Sequence, residues 1–211
     1  MKKIALFLCF FAMSSFSLTL DQVRMSLNKS AANRDSSEMK IRTTVNSAFG
    51  SQVVSVYIVQ KGKSKVYSEI KASFLNQRSI INGNRMKVVD LNTKKFQIVP
   101  YNGESLEALS YAKFNPLDSG EWEEPKFVSE NLYSIKGDKG TLFYDSKRKR
   151  IEKMESVDAE KNVLTTFTYD GEGNFKSMKT SVISNGKETT VVTEILMLRS
   201  SAKFPDRLFE F

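Results

Sequence analysis

Residues 175–198, FKSMKTSVISNGKETTVVTEILML, form the stretch that decides the fold. Two runs rich in β-branched and apolar residues, Phe175–Ile183 and Thr189–Leu198, flank the dipeptide Asn185-Gly186. Asn-Gly favours a tight two-residue turn, because both residues tolerate the positive φ angles that such a turn requires. The stretch therefore predicts an antiparallel β-hairpin.

Similar signals recur along most of the chain. Residues 39–45 and 65–74 alternate between apolar and polar side chains, which is typical of half-buried strands. Asn82-Gly83 predicts a second hairpin between 78–81 and 85–90. From Lys126–Ile135 onward, strand-like segments follow at spacings of about ten residues, with turn residues between them. The pattern predicts a mainly β domain of ten or eleven antiparallel strands.

Two segments carry helical patterns instead. The first is Thr19–Ala32, where Thr19 is a candidate N-cap and Val23 and Leu27 recur at helical spacing. The second is Ser105–Phe114, SLEALSYAKF, which ends at Asn115-Pro116 because the residue before a proline disfavours helical geometry. Two helices are expected beside the sheet.

The N-terminus has the features of a secretory signal. Lys2 and Lys3 precede the apolar run IALFLCFFAM at 4–13, and small residues follow at 14–17. Ten apolar residues are too few to span about 30 Å of hydrocarbon as a helix. Cys9 lies within the run and follows large residues, so no lipid is expected on it. We predict a signal peptide at 1–17 and one domain at 18–211.

The composition excludes several kinds of chemistry. The chain has no histidine, and its single cysteine lies in the predicted signal. Histidine-based triads, thiol nucleophiles and disulfides are therefore not expected in the mature chain. The net charge of +8 becomes +6 without Lys2 and Lys3, and the lysines are scattered. The dense basic run 147–150 is interpreted as a solvated turn, with attraction to acidic lipid or an acidic partner as the alternative.

Acidic residues give no convincing site either. Residues 170–174, DGEGN, resemble the start of a calcium loop, but Phe175 and Ser181 occupy positions that need glycine and glutamate. This segment is interpreted as a turn. Glu121, Glu123 and Glu124 are interpreted as solvated loop charges. No catalytic residue, metal ligand or cofactor is predicted, and an enzyme is the less favoured alternative.

The surplus of apolar residues points to binding. A curved sheet with two helices covers one face imperfectly, which would leave a cavity suited to an aliphatic ligand. An ordinary, filled core is the alternative. The candidate lining residues are Val54, Val56, Ile58, Ile70, Phe74, Met86, Val88, Phe96 and Ile98 from strands, and Val23, Leu27, Leu106 and Leu109 from helices.

The order of these segments resembles the LolA-like family of periplasmic outer-membrane lipoprotein carriers. The hairpin at 79–90, SIINGNRMKVVD, the strand 95–100, the helical insertion at 104–114 and the tail at 202–211, AKFPDRLFEF, carry the resemblance. It implies an unclosed half-barrel of about eleven strands over residues 18–211, with two or three helices as a lid over the concave face.

The resemblance also implies a function. Such a protein is a non-enzymatic, monomeric periplasmic carrier, which shields the acyl chains of lipoproteins or related lipids between the inner and outer membranes. Its partners would be acylated lipoproteins, an inner-membrane exporter and an outer-membrane acceptor, with no nucleic acid. A sensor or interaction module of the cell envelope is the alternative on the same fold.

One departure from the family concerns the lid. In the best-studied branch of the family, a Lys-Arg-Pro step follows the second barrel strand and its arginine latches the lid to a helix, whereas this chain has Lys61-Gly62-Lys63. The latch is therefore not carried over. The helix at 105–114 is nevertheless predicted to be a movable cover, with a permanently packed helix as the alternative.

Overall fold

The computed structural model describes residues 18–30, 36–62, 64–102, 115–118, 120–157, 161–200 and 203–211. These residues contain one α-helix, α1 (Leu20–Ser30), and short 3₁₀ turns at Pro116–Asp118 and Asp206–Phe209. The strands are β1 (Ser36–Ser47), β2 (Gly50–Lys61), β3 (Lys65–Lys71), β4 (Asn76–Asn82), β5 (Arg85–Asp90), β6 (Phe96–Pro100), β7 (Lys126–Ser129), β8 (Leu132–Gly137), β9 (Gly140–Asp145), β10 (Arg150–Val157), β11 (Lys161–Tyr169), β12 (Phe175–Ser184) and β13 (Lys187–Ser200).

All thirteen strands belong to one antiparallel sheet that is not closed into a barrel. Their order is β6-β5-β4-β3-β2-β1-β13-β12-β11-β10-β9-β8-β7, so β6 and β7 are the two edges. Apart from the pairing of β1 with β13, neighbours in the sheet are also neighbours in sequence. The predicted fold class, a mainly β protein with a single unclosed antiparallel sheet, is confirmed.

Two details of that prediction need correction. The sheet has thirteen strands instead of about eleven, partly because Lys126–Ile135, predicted as one strand, contains a turn. Asn131 there has a φ of 62°, which ends β7 and starts β8. One α-helix is described instead of two or three. The predicted lid helix at 105–114 lies outside the described residues.

The two hairpins form where the sequence predicts them, with different turns. In the β12–β13 turn the two central residues, Asn185 and Gly186, both have positive φ values, 50° and 71°, which matches the right-handed twist of the flanking strands. In the β4–β5 turn the central residues are Gly83 and Asn84, and of these only Gly83 has a positive φ, 63°. The hairpins β4–β5 and β12–β13 form as expected, with Asn82 opposite Arg85 and Ser184 opposite Lys187.

The helix α1 begins one residue after its predicted cap. The backbone N–H of Gln22 donates to Thr19 Oγ1 at 3.3 Å, and the N–H of Thr19 donates to Gln22 Oε1 at 3.1 Å. This reciprocal capping box satisfies donors that the first turn leaves free. The N–H of Leu20 also donates to the carboxylate of Glu124 at 2.9 Å, where the helix dipole favours negative charge.

Contacts on one side fix α1 to the sheet. Leu20 and Val23 are buried in a cluster with residues of β8, β9, β10 and β11, and Ser26 Oγ lies 2.7 Å from the hydroxyl of Tyr144. Asn115 donates to Asn28 at 3.1 Å from the other side of the helix. We call the sheet face under α1 the helix face. No helix within the described residues is long and apolar enough to cross a membrane.

The C-terminal segment lies against the opposite face, which we call the tail face. Asp206 accepts from Lys61 at 3.0 Å and from Lys65 at 2.7 Å, and Asn82 donates to the carbonyl of Phe209 at 3.2 Å. Lys61, Lys65 and Asn82 are cross-strand partners and therefore share one face. Phe209 is fully buried in this arrangement.

Candidate functional site: an apolar face of the sheet

The strand registers assign each side chain to one of the two faces. Successive side chains of a strand alternate between faces, and directly paired residues of antiparallel strands share a face. Ile41 pairs with Val56 and with Ile195, so these three belong to the helix face. Their sequence neighbours Lys40 and Arg42 belong to the tail face. The same rule applied across β1–β5 and β13 separates two sets of residues.

The helix-face set is almost free of charge. Within the described strands β1–β5 and β13, the registers put ionisable side chains on this face at two positions only, Asp90 and Lys187. Both positions are strand ends. The other positions are apolar residues, serines, threonines, glutamines and one glycine. In β1, β2 and β3, the apolar members are Met39, Ile41, Val45, Val54, Val56, Ile58, Val66 and Ile70.

Burial along this face changes from one end of the strands to the other. Toward the β2–β3 and β4–β5 turns, five buried residues form a central cluster, namely Met39, Ile41, Ile58, Val66 and Ile81. Val56, Met86, Tyr101, Ile195 and Leu198 pack against this cluster. Toward the β1–β2 turn, the helix-face valines and isoleucine are half-buried: Val45, Val54, Ile70, Val88 and Val191. We call these five half-buried residues the apolar trough.

Hydroxyl groups beside the trough bond to one another. Thr43 Oγ1 lies 3.1 Å from Thr193 Oγ1, and Thr165 Oγ1 lies 2.9 Å from Thr180 Oγ1. Thr193 is only 5% exposed. Because a buried hydroxyl is costly unless it is hydrogen-bonded, these pairs let threonines line an apolar surface. Their methyl groups add to the apolar character of the face.

The structure brings together eight of the thirteen sequence-predicted residues on the helix-face side. Six are strand residues of this face: Val54, Val56, Ile58, Ile70, Met86 and Val88. The other two, Val23 and Leu27, lie on α1 and pack in the separate cluster with Leu142 and Phe167. The lining role of all eight stays a prediction.

Of the remaining five residues, three are placed away from this face, and two are not among the described residues. Phe74 lies in the loop after β3 and is 71% exposed. Phe96 pairs with Val89, and Ile98 pairs with Lys87, which puts both on the tail face, where they are 62% and 40% exposed. Both are predicted lining residues, and the register of β6 puts them on the face opposite Val88. Leu106 and Leu109 lie outside the described residues.

Several residues of the face were missed from the sequence. Val45 of β1 and Val191 and Ile195 of β13 belong to the helix face, and Leu198 packs on the central cluster. They were missed because β1 pairs with β13, a contact between residues roughly 150 positions apart in the chain. The alternation of Val191, Thr193 and Ile195 along β13 is the sequence signal that could have identified them as residues of one face.

The tail face carries a network of polar contacts beside the buried Val59 and Ile80. Arg78 donates to Glu69 at 2.7 and 2.9 Å and lies over the ring of Tyr67, and the hydroxyl of Tyr67 donates to Glu69. The hydroxyl of Tyr57 donates to Glu38 at 2.8 Å. Burial, together with the neighbouring carboxylates, raises the pKa of both tyrosines to about 12. This network is charged where the helix face is apolar.

Lys61, at the end of β2, contacts the C-terminal segment. Lys61 shares the face of Val59, and its ammonium group contacts Asp206 and the carbonyl of Phe204 in the C-terminal segment. The side chain of Lys61 therefore ties the tail to the sheet.

The acidic segments singled out from the sequence have structural contacts. Asp170 accepts the backbone N–H groups of Glu172 and Asn174, and the side-chain and backbone bonds of Asn174 lower the pKa of Asp170. Glu123 pairs with Lys126 at 2.8 Å. Glu124 is exposed, as expected of a loop charge, and also accepts the N–H of Leu20 at the start of α1. Among the described residues, no group of three or more acidic residues is arranged to hold a metal ion.

The fold is shared with solved structures of low sequence identity. A LolA superfamily protein from Nitrosomonas europaea matches with a TM-score of 0.54 at 13% identity, over 92% of this chain and 99% of that chain. An outer membrane lipoprotein-sorting protein domain from Vibrio parahaemolyticus matches with a TM-score of 0.50 at 8% identity, over 89% and 94% of the two chains. No protein-family model matches the sequence, and no curated protein matches it significantly. The chain therefore shares the fold of these two solved structures, which is the fold that the sequence resemblance implies.

Proposed function

We propose that this protein is a periplasmic carrier that holds the acyl chains of lipoproteins, or of related lipids, against the helix face during transfer between the inner and outer membranes. The observation that carries the proposal is the apolar trough, a row of half-buried valines and isoleucine on a face with almost no charge. The likeness of the fold to a lipoprotein-sorting domain supports the same conclusion.

The energetics suit a carrier. Each methylene of an acyl chain that leaves water gains about 0.8 kcal/mol. The trough offers apolar surface that is still partly open to water. An acyl chain bound there would therefore remove apolar surface of both the ligand and the protein from water. A fully packed core would offer no such surface, because protein interiors leave few voids. Side chains that stay half-open also allow the cargo to leave again.

The lining proposed here is smaller than the set expected from the sequence. Val54, Ile70 and Val88 form its β2–β5 wall, and Val45 and Val191 form its β1–β13 wall. Val56, Ile58 and Met86 lie deeper, in or against the central cluster. The acylated part of a lipoprotein would be the bound group, with an inner-membrane exporter and an outer-membrane acceptor as transient partners of a monomer.

Two neighbouring valines provide a matched test. Val54 belongs to the helix face, whereas Val53 belongs to the tail face and is 46% exposed. Val54→Asp should weaken the binding of a fluorescent long-chain fatty acid at least tenfold, about 1.4 kcal/mol, because a carboxylate would lie against the acyl chain. Val53→Asp should bind as the unchanged protein does. Circular dichroism and thermal melting of both variants check that they fold.

The outcomes separate the functions. Equal binding by both variants, or no binding of any acyl probe at micromolar concentration, would contradict the carrier function. A folded protein that binds no acyl group but captures an envelope protein would support the sensor or interaction module instead.

The cellular location is a further part of the proposal. Export would remove residues 1–17, so that the mature chain begins near Leu18 and carries no lipid on Cys9. Intact-mass measurement of periplasmic material from expressing cells tests this point. A mass that includes residues 1–17, or a diacylglycerol adduct, would contradict it.

A further inference from the structure

Two loops at one end of the sheet are held together. The loop 72–75 follows β3, and the loop 91–95 follows β5. The N–H of Leu91 donates to the carbonyl of Asn76 at 2.8 Å, and the side chain of Asn76 donates to that of Asn92 at 3.0 Å. These bonds fix the two loops as one surface beside edge strand β6.

This surface combines exposed aromatic rings with lysines. Phe74 is 71% exposed and Phe96 is 62% exposed. The ammonium group of Lys87 lies 4.7 Å from the centre of the Phe96 ring. Lys71, Lys94 and Lys95 are exposed within or next to the same two loops. We call these six residues, Phe74, Phe96, Lys71, Lys87, Lys94 and Lys95, the Phe74–Phe96 patch.

The acidic residue at the start of the second loop, Asp90, is hydrogen-bonded to the backbone of that loop. Asp90 accepts the backbone N–H groups of Thr93 and Asn92 at 3.1 and 2.8 Å. Both bonds reach Oδ1 and lower the pKa of Asp90, which therefore keeps its negative charge. With four lysines against this one carboxylate, the net charge of the patch and its loops is positive.

We propose that the Phe74–Phe96 patch binds the surface of membranes that contain anionic lipid. Lysines beside such a surface are attracted to its negative potential, and exposed aromatic rings enter the region between headgroups and acyl chains. Phe49, 97% exposed in the β1–β2 turn at the same end of the strands, adds a further ring on this side.

A membrane fits this surface better than an acidic protein does. The two phenylalanines lie in a loop and on the edge strand next to it, with lysines around them. Rings presented in this way can enter a fluid interface, whereas a protein partner would have to provide a pocket for each ring. The excess of positive charge also fits, since the patch has four lysines and Asp90 is the one carboxylate within or next to its two loops.

The position of the patch links it to the apolar trough. Ile70 of the trough immediately precedes Lys71, and Val88 lies two residues before Asp90. Contact of the patch with a bilayer would bring this end of the trough to the lipid. This link rests on the proposed carrier function, whereas binding to the membrane does not.

Vesicle sedimentation with matched variants tests the patch. The unchanged protein should bind vesicles of phosphatidylglycerol and phosphatidylcholine, and bind pure phosphatidylcholine at least tenfold more weakly. Lys71→Glu with Lys95→Glu should lower binding to the anionic vesicles at least tenfold, since each lysine contributes about fivefold. Lys147→Glu with Lys149→Glu, in the basic turn after β9, should have little effect.

A second pair of variants tests the aromatic part. Phe74→Ser with Phe96→Ser should weaken vesicle binding several-fold at constant salt. Phe127→Ser is the control, because Phe127 is 69% exposed on edge strand β7 at the other end of the sheet. Equal losses from patch and control variants, or no binding of the unchanged protein to anionic vesicles, would overturn the proposal. The latter result would leave an acidic protein surface as the occupant of the patch.

The two proposals fail separately. The Lys71→Glu, Lys95→Glu protein should still bind a fluorescent fatty acid in the absence of vesicles. Val54→Asp should lose that binding and still sediment with anionic vesicles. Vesicle binding without fatty-acid binding would contradict the carrier function alone, and the reverse result would contradict the membrane patch alone.

Discussion

The helix face and the tail face of β1–β5 are built from alternate residues of the same strands, yet they differ in charge. The helix face buries Met39, Ile41 and Ile58 and keeps a half-buried apolar trough. The tail face carries the Arg78–Glu69 ion pair and the lysines that bind Asp206. The helix face is therefore the one on which we propose that an apolar ligand binds, while the tail face contacts the chain's own C-terminus.

The largest expected difference between the faces concerns stability. Ile41 is 2% exposed in the central cluster, and its neighbour Arg42 is exposed on the tail face. Ile41→Ala should lower the free energy of unfolding by about 2 to 4 kcal/mol, because it leaves a cavity. Arg42→Ala should change it by about 0.5 kcal/mol or less. Urea denaturation followed by circular dichroism measures both; similar losses would mean that the faces do not differ in this way.

The attachment of α1 to the helix face gives a smaller effect. Tyr144→Phe removes the hydroxyl that bonds to Ser26 Oγ at 2.7 Å, in a residue that is otherwise buried. We expect a loss of about 1 kcal/mol in the free energy of unfolding. Tyr133→Phe, at the cross-strand position opposite Tyr144, is the control and should cost less. A loss from Tyr133→Phe as large as that from Tyr144→Phe would show that the bond to Ser26 is not what matters.

These strands could be predicted from the sequence because their signals are local. The Asn82-Gly83 and Asn185-Gly186 turns and the capping of α1 by Thr19 each depend on a few adjacent residues. The face to which each residue belongs is harder to predict from the sequence, because it depends on strand register. Phe96 and Ile98 are predicted lining residues, but the register of β6 puts them on the tail face.

The residues missing from the predicted site have a common cause. Val45, Val191 and Ile195 come together through the pairing of β1 with β13, which joins the two ends of the chain. Periodicity can show that each strand has an apolar side, but it cannot show which strands are neighbours. The position of the C-terminal tail on the tail face likewise depends on contacts between distant residues.

The ion pair of the tail face should contribute little to stability. Arg78 and Glu69 are 39% and 36% exposed, so water screens their interaction. A double-mutant cycle with Arg78→Ala and Glu69→Ala should give a coupling of about 0.5 kcal/mol. Denaturant unfolding of the four proteins measures it. A coupling as large as the loss from Ile41→Ala would mean that the tail face carries as much stability as the central cluster.

The smallest expected effect is local and depends on pH. Hydrogen bonds from Lys65 and Lys61 lower the pKa of Asp206 from 3.8 to about 2. The attachment of the tail should therefore be complete above about pH 4 and weaken as the pH falls toward 2, where the carboxylate takes up a proton. Amide NMR signals of residues 206–211 should follow that titration.

Two variants separate Asp206 from other acids of the tail. Asp206→Asn should loosen the segment at neutral pH and abolish the change between pH 4 and pH 2. Glu210→Gln alters an acid of the same segment without a contact to Lys61 or Lys65, and should leave the titration in place. A midpoint near 4 in the unchanged protein would contradict the role of the two lysines.

The most direct test of the carrier account is to map where an acyl chain lies. A long-chain fatty acid with a photoreactive group would be bound, illuminated and located by peptide mass spectrometry. The account predicts adducts at trough residues such as Val54, Ile70 and Val88, with competition by unlabelled fatty acid. Adducts that concentrate on tail-face residues such as Val53 or Ile183, or that resist competition, would contradict it.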